Sequence, residues 1–165
     1  MIIHIDVWLD ELKKLHAEFE EGCANNQGLQ IERAMYYSAL IVRKLSETPF
    51  VGRGFLGPQM KGHAYGPPLR PIDGVQWLDA WSHFNFANGT ATTISLSNIC
   101  HILIHSHFLD WRPATGPVRQ ILVVGGMKLG FEAFGFTPPQ FTKMLRHVEQ
   151  YKFKKLPVRM VRRAA

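Results

Sequence analysis

The segment from Leu96 to Leu109 constrains the fold more than any other part of the chain. Its apolar side chains, placed about 100° apart on a helix, cover most of the circumference and leave one polar stripe. Asn98, His101 and His105 form that stripe. A helix that is apolar on nearly all sides is stable only when other elements surround it, and its buried polar groups then need hydrogen-bond partners. The sequence therefore predicts a domain with this helix inside.

The chain is long enough and apolar enough for one ordinary domain, with 165 residues of which 46% are hydrophobic. Its two cysteines are too few for a disulfide scaffold or an all-cysteine zinc site. Its apolar runs are far shorter than the ~20 residues of a membrane span, and its first residues lack the basic region of a signal peptide. We expect a cytoplasmic protein with a single domain over residues 1–151 and a basic tail at 152–165.

Apolar side chains recur at helical spacing in four segments. We predict helices at about residues 6–21, 29–47, 97–110 and 138–151. Residues that favour helix caps or stops bound these segments, and they are Asp6, Gly22, Ser95 or Ser97, and Thr137.

Two further segments predict β-hairpins. In residues 82–94, Phe84 and Phe86 alternate with polar residues before Asn88 and Gly89, a pair that is typical of a two-residue type I′ turn. Residues 118–136 contain two β-prone runs around a second glycine-rich turn. Residues 49–74 hold five prolines and six glycines, so we expect a loop without regular structure there. The order of elements predicts an α+β fold of about four helices, with the two hairpins forming a small antiparallel sheet.

Charge is distributed unevenly along the chain, whose formal net charge is +6. Residues 1–50 carry −3, residues 51–100 carry +1, and residues 101–165 carry +8. A basic block of this kind attracts polyanions, nucleic acid first and an acidic protein partner second, whereas the alternative is a solvated tail that aids solubility. The predicted binding residues are Lys143, Arg146, Lys152, Lys154, Lys155, Arg159, Arg162 and Arg163.

The polar stripe of the third predicted helix has three interpretations. The simplest is a core network of hydrogen bonds that fixes how the helix packs. The second is acid–base chemistry, because imidazole titrates near neutral pH. In that case His105, alone or with His101, transfers protons, and Asn98 lies beside it on the stripe. A phosphodiester substrate also needs a cation for its charged transition state. Arg43 is the candidate cation, with Tyr36 on the same face of its helix.

Metal binding is the third interpretation. His101 and His105 stand at i and i+4, the spacing at which two imidazoles on a helix reach one zinc ion. A third ligand would come from His83, Asp79 or Glu32. The chain has no His-Glu-x-x-His order, so this pattern is only half a site, and no cofactor is predicted.

Two segments resemble a group of uncharacterised bacterial proteins of about this length. Residues 34–45 are similar to their helix with Tyr-Tyr-Ser-Ala followed by Arg-Lys-Leu, and residues 100–106 are similar to their helix Cys-Asn-Gln-Ile-Ile-His-Ser. The resemblance implies that Arg43 and His105 match the Arg and His of the group, whereas His101 stands where the group has Asn. A fainter likeness links the chain to the HEPN ribonucleases, but no arginine precedes His105 on its own helix, so their activity does not carry over.

Three functions remain open from the sequence. The first is binding of nucleic acid or of an acidic protein partner through the basic C-terminal region. The second is a metal-independent, ribonuclease-like enzyme that uses His105 and Arg43. The third is a structural or interaction protein of a bacterial defence or toxin–antitoxin system. A homo-oligomer is compatible with each of them, and no membrane partner is expected.

Overall fold

The computed structural model describes residues 5–52, 54–69, 82–112, 116–125 and 129–154. Within these residues the chain has the predicted α+β class, with four α-helices and one five-stranded antiparallel sheet. The helices are α1 (Ile5–Asn25), α2 (Gly28–Ser46), α3 (Leu96–Ile104) and α4 (Pro138–Glu149). The strands are β1 (Gln59–Tyr65), β2 (Thr90–Ser95), β3 (Phe108–Arg112), β4 (Gln120–Val124) and β5 (Ala133–Phe136).

Helices α2 and α4 lie where the sequence predicts them, whereas α1 begins within one residue of its predicted start but ends later than predicted. Asp6 lies inside the first turn of α1 instead of capping it, and the helix continues past Gly22 to Asn25. Gly22 serves close packing, because a Cβ there would lie 3.1 Å from Cγ1 of Ile31 on α2. The turn comes instead at Asn26, whose φ is +54°.

Helix α3 begins as predicted and ends earlier than predicted. The Ser95 hydroxyl accepts a hydrogen bond from the backbone N–H of Asn98 at 3.2 Å, which confirms Ser95 as the cap. The predicted end near residue 110 is wrong, since the helix stops at Ile104 and residues 108–112 form β3. The side chains of Leu109 and Trp111 both join the core, which is the two-residue period of a strand.

The sheet has the strand order β2-β1-β5-β4-β3. The predicted hairpin at 118–136 is confirmed as β4 and β5, although β5 starts only at residue 133. The predicted hairpin at 82–94 is wrong, because residues 86–88 form a short 3₁₀ turn and β2 pairs with β1.

Strand β1 also corrects the prediction that residues 49–74 lack regular structure. It lies between β2 and β5 and pairs with both. Gly62, which suggested a loop, lies under an aromatic ring, since a Cβ there would be 2.4 Å from Cζ of Phe134. The glycine is therefore a packing position inside a strand.

One apolar core joins the inner face of the sheet to side chains from all four helices. Leu12, Met35 and Ile99 represent α1, α2 and α3 in this core, and Val148 represents α4. A smaller apolar cluster lies on the outer face of the sheet, where Phe84 covers its neighbours. Among the described helices, none combines the length and the apolar character that a membrane crossing requires.

Candidate functional site

A pocket of about 230 Å³ lies between the C-terminal end of α2 and the first turns of α3. Its lining residues are Arg43, Ser46, Glu47, Leu56, Ser97, Cys100 and His101. The Arg43 side chain is about half exposed, and its Nε lies 3.5 Å from Oε1 of Glu47. The packing of α2 on α3 therefore brings the predicted cation to the predicted histidine helix.

The Cys100 thiol in this pocket is buried, with 5% of the residue exposed. Burial raises the pKa of Cys100 to about 12, although the nearby charge of Arg43 acts in the opposite direction. The thiol is therefore protonated at neutral pH, and a protonated thiol is a poor nucleophile. Cys100 contributes packing to the pocket rather than reactivity.

The two histidines of the stripe lie side by side. The ring centroids of His101 and His105 are 4.7 Å apart and the rings are tilted by 54°. His105 is the C-cap of α3, and its backbone N–H donates to the carbonyl of His101 at 3.1 Å. The pocket that contains Arg43 is lined by His101 and not by His105.

The other two predicted catalytic residues lie elsewhere. Asn98 is partly buried in the first turn of α3 and does not line the Arg43 pocket. Tyr36 is exposed and lines a different cavity, which it shares with Ser106. The structure thus brings Arg43 and His101 together and does not gather the four predicted residues around one cavity.

The metal interpretation gains no support from the described residues. Within them, no group of three or more His, Cys, Asp or Glu side chains is arranged to hold a metal ion. The same holds for the predicted pair His101 and His105, which neither Glu32 nor His83 completes as a third ligand. Asp79 lies outside the described residues.

The basic C-terminal region is described as far as Lys154. Lys143, Lys152 and Lys154 are exposed, and none of them forms an ion pair with another described residue. Arg146 differs, because its Nη2 lies 3.2 Å from Oε1 of Glu20 on α1. The predicted residues Lys155, Arg159, Arg162 and Arg163 lie outside the described residues.

The part of this region that directly follows α4, residues 151–154, is fixed to the core. The hydroxyl of Tyr151 accepts the backbone N–H of Gly52 at 2.8 Å, and the backbone N–H of Lys154 donates to the carbonyl of Phe50 at 2.8 Å. The rings of Tyr151 and Phe153 lie 5.0 and 5.7 Å from that of Phe55. Residues 151–154 are therefore held in a defined place beside the loop that follows α2.

A second open cavity, of about 630 Å³, lies on the outer face of the sheet. We call it the sheet groove, and its lining includes Lys61, His63, Tyr65, Ala91, Gln120, Gly135 and Gln140. The groove was not predicted from the sequence, because a loop was expected at residues 59–65, where β1 lies. The sequence does contain a pattern that indicates β1. Lys61, His63 and Tyr65 alternate with smaller or apolar residues, which is the two-residue period of a strand.

Comparisons of the chain with protein-family models, curated proteins and solved structures gave no match. Function is therefore inferred from the residues of this chain.

Proposed function

We propose that this protein binds nucleic acid in the cytoplasm through the basic region that begins at Lys143. The observation that carries the proposal is the set of exposed lysines, Lys143, Lys152 and Lys154, which form no ion pair with any other described residue. They stand on or directly after α4, where the chain is fixed to the core. Their positive charge is therefore available to a partner.

Lysine side chains of this kind bind phosphates by releasing the counterions that surround the strand. Binding then weakens steeply as salt rises, by about 0.7 units of log affinity per unit of log salt for each contact with a single strand. The lysines of α1 differ, because Lys13 and Lys14 pair with Asp10 and Glu11 at 3.0 and 3.3 Å. The two kinds of charge are separated along the sequence, although α1 packs on α4 and its Glu20 pairs with Arg146.

The test measures fluorescence anisotropy of labelled 20-nucleotide RNA and DNA strands with the full chain over a range of salt concentrations. The triple variant Lys143→Gln, Lys152→Gln and Lys154→Gln is expected to lower the salt slope by about 2. The matched control removes three charges elsewhere, by Lys13→Gln, Lys14→Gln and Lys44→Gln, and is expected to bind like the unmodified chain.

Two results would overturn the proposal. One is the absence of salt-dependent binding to either strand. The other is an equal loss of binding in the triple variant and its control, which would mean that only net charge matters. Tighter, salt-sensitive binding to an acidic polyglutamate peptide than to RNA or DNA would indicate an acidic protein partner instead.

A second candidate function is RNA cleavage at the Arg43 pocket. It is favoured by one observation, that Arg43 shares this pocket with His101, whose ring contacts that of His105. Paired imidazoles can serve as general base and general acid, and a guanidinium can stabilise the charge of a phosphoryl transition state.

The test for cleavage uses RNA and DNA of the same sequence, because only RNA carries the 2′-hydroxyl that an internal attack requires. His101→Ala and Arg43→Gln are each expected to abolish cleavage of RNA while the circular dichroism spectrum stays native. Cleavage that survives both substitutions, or an unmodified chain that leaves RNA intact, would dismiss this candidate.

A further inference from the structure

The sheet groove has a flat floor made by small residues. In the strand register His63 stands opposite Ala91 on one side and Gly135 on the other. All three side-chain positions face the outer side of the sheet, since the neighbouring residues Met60 and Phe134 belong to the inner core. The exposed imidazole of His63 therefore stands beside the small side chain of Ala91, and on its other side the ring of Tyr65 lies over Gly135.

The lining of the groove includes an aromatic ring that is held in place by its neighbours. The ring of Tyr65 lies 4.9 Å from that of Phe86 in an edge-on arrangement. Two glycines allow it to lie there, because a Cβ at Gly89 would be 2.5 Å from its Cε1 and a Cβ at Gly135 would be 3.1 Å from its Cε2. Burial also raises the pKa of the Tyr65 phenol above its ordinary value, which already lies well above neutral pH.

The polar groups of the groove suit an anionic ligand. Lys61 and His63 are exposed in its lining, and no Asp or Glu is among the described residues that line it. Gln120 and Gln140 add two amides. The Oε1 of Gln140 accepts the backbone N–H of Thr137 at 2.6 Å, which leaves the NH₂ group of this side chain as its donor to a ligand.

The groove also adjoins the basic region. Gln140 lies in the first turn of α4, and Lys143 follows it by three residues on the same helix. Residues at this spacing are neighbours on a helix surface, with about 5–6 Å between their Cβ atoms. A strand bound at Lys143 therefore reaches the groove without crossing an acidic surface of α4.

We propose that the sheet groove holds unpaired bases of a single-stranded nucleic acid, with a base stacked on His63 and a neighbouring phosphate at Lys61. The proposal rests on the proposed function and deepens it by naming where the bases lie. Imidazole and phenol rings on an open sheet are common stacking partners for splayed bases. The cavity has the size of a small-ligand site, about 300–1,000 Å³, and the paired bases of a duplex would not present their faces to its floor.

The test compares two labelled strands of equal length and charge, one with bases and one abasic, for binding to the full chain. The unmodified chain is expected to prefer the strand with bases by roughly 5-fold or more. His63→Ala is expected to abolish this preference and to leave abasic binding unchanged. Ala91→Leu, an exposed position on the edge strand β2, fills the floor and is expected to do the same. His107→Ala, an exposed histidine away from the groove, is the control.

The outcomes separate this inference from the proposed function. If both groove variants keep the preference for bases while salt-dependent binding persists, the groove inference is wrong and the proposed function stands. If the unmodified chain binds neither strand, both are wrong. If His63→Ala weakens binding of an acidic peptide and has no effect on the preference for bases, the groove is a protein-binding site and the inference is overturned.

Discussion

Nδ1 of His16 lies 2.7 Å from Oε1 of Glu149, and this contact joins the middle of α1 to the last residue of α4. Oε1 of Glu20 lies 3.3 Å from Nε2 of the same imidazole and 3.2 Å from Nη2 of Arg146. Four side chains thus form a continuous line of polar contacts between the two helices. The side chains of His16 and Glu149 are only 10% and 16% exposed, so the line is anchored away from water.

The first prediction concerns this contact. His16→Ala should lower the free energy of unfolding by about 2–3 kcal/mol, because the poorly exposed Glu149 carboxylate loses its hydrogen-bond partner. Urea denaturation at neutral pH measures the change. Lys13→Ala is the control, since its pair with Asp10 is well exposed and should contribute no more than about 0.5 kcal/mol. Equal effects of the two substitutions would contradict the structural role of His16.

The second prediction concerns Gly62 in β1. Gly62→Ala should destabilise the protein by about 2 kcal/mol, because its Cβ would lie 2.5 Å from the backbone oxygen of Gly135 and 2.4 Å from the ring of Phe134. Thermal denaturation followed by circular dichroism measures the effect. Gly66→Ala is the matched control, as nothing lies within 4 Å of a Cβ there. A melting temperature unchanged by Gly62→Ala would mean that β1 is not packed as described.

Gly62 shows why part of the fold was predictable from the sequence and part was not. Helices α2 and α4 and the β4–β5 hairpin carry their signals locally, in apolar period and turn residues. Strand β1 pairs with β2 about 30 residues later and with β5 about 70 residues later. Its glycine predicts a loop unless the ring that covers it is known. Asn88 and Gly89 likewise predict a hairpin turn from their residue types alone. The strand that follows them, β2, pairs instead with β1.

The candidate site was predictable only residue by residue. The spacing of His101 and His105 placed them on one side of a helix, and their rings do lie together. That Arg43 shares a pocket with His101 depends on how α2 packs against α3, which no local pattern encodes. The sheet groove depends on the pairing of β1 and was therefore not predicted at all.

The third prediction concerns pH. Since burial raises the pKa of Cys100 from 9.0 to about 12, the unfolded chain releases this proton at lower pH than the folded chain does. The stability from the buried neutral thiol is complete below pH 9.0 and is lost as pH rises towards about 12, by about 1.4 kcal/mol per pH unit.

Urea denaturation between pH 8 and pH 11 checks this prediction. Cys100→Ala should make the fall in stability with pH shallower by about 1.4 kcal/mol per unit above pH 9. An identical slope in the variant and the unmodified chain would show that the thiol is accessible to water in the folded state.

The fourth prediction concerns the segment after α4. Tyr151→Ala removes the acceptor for the backbone N–H of Gly52 and the ring that packs on Phe55. Trypsin should then cleave after Lys152 and Lys154 several times faster, because cleavage requires local release of the chain. Tyr37→Ala, at a half-exposed position on α2, serves as the control. Equal cleavage rates in all three proteins would mean that this segment is not held on the core.

The start of α4 carries a consequence for the groove beside it. Gln140 stands third in that helix, and its Oε1 accepts the backbone N–H of Thr137. A glutamate performs this reciprocal cap as well as a glutamine does. At this position a glutamate would bring a carboxylate into a lining whose ionisable groups include Lys61 and His63. Because Gln140 carries an amide, it caps the start of α4 without adding a negative charge to the groove. The same side chain therefore stabilises the helix and keeps the groove suited to an anionic ligand.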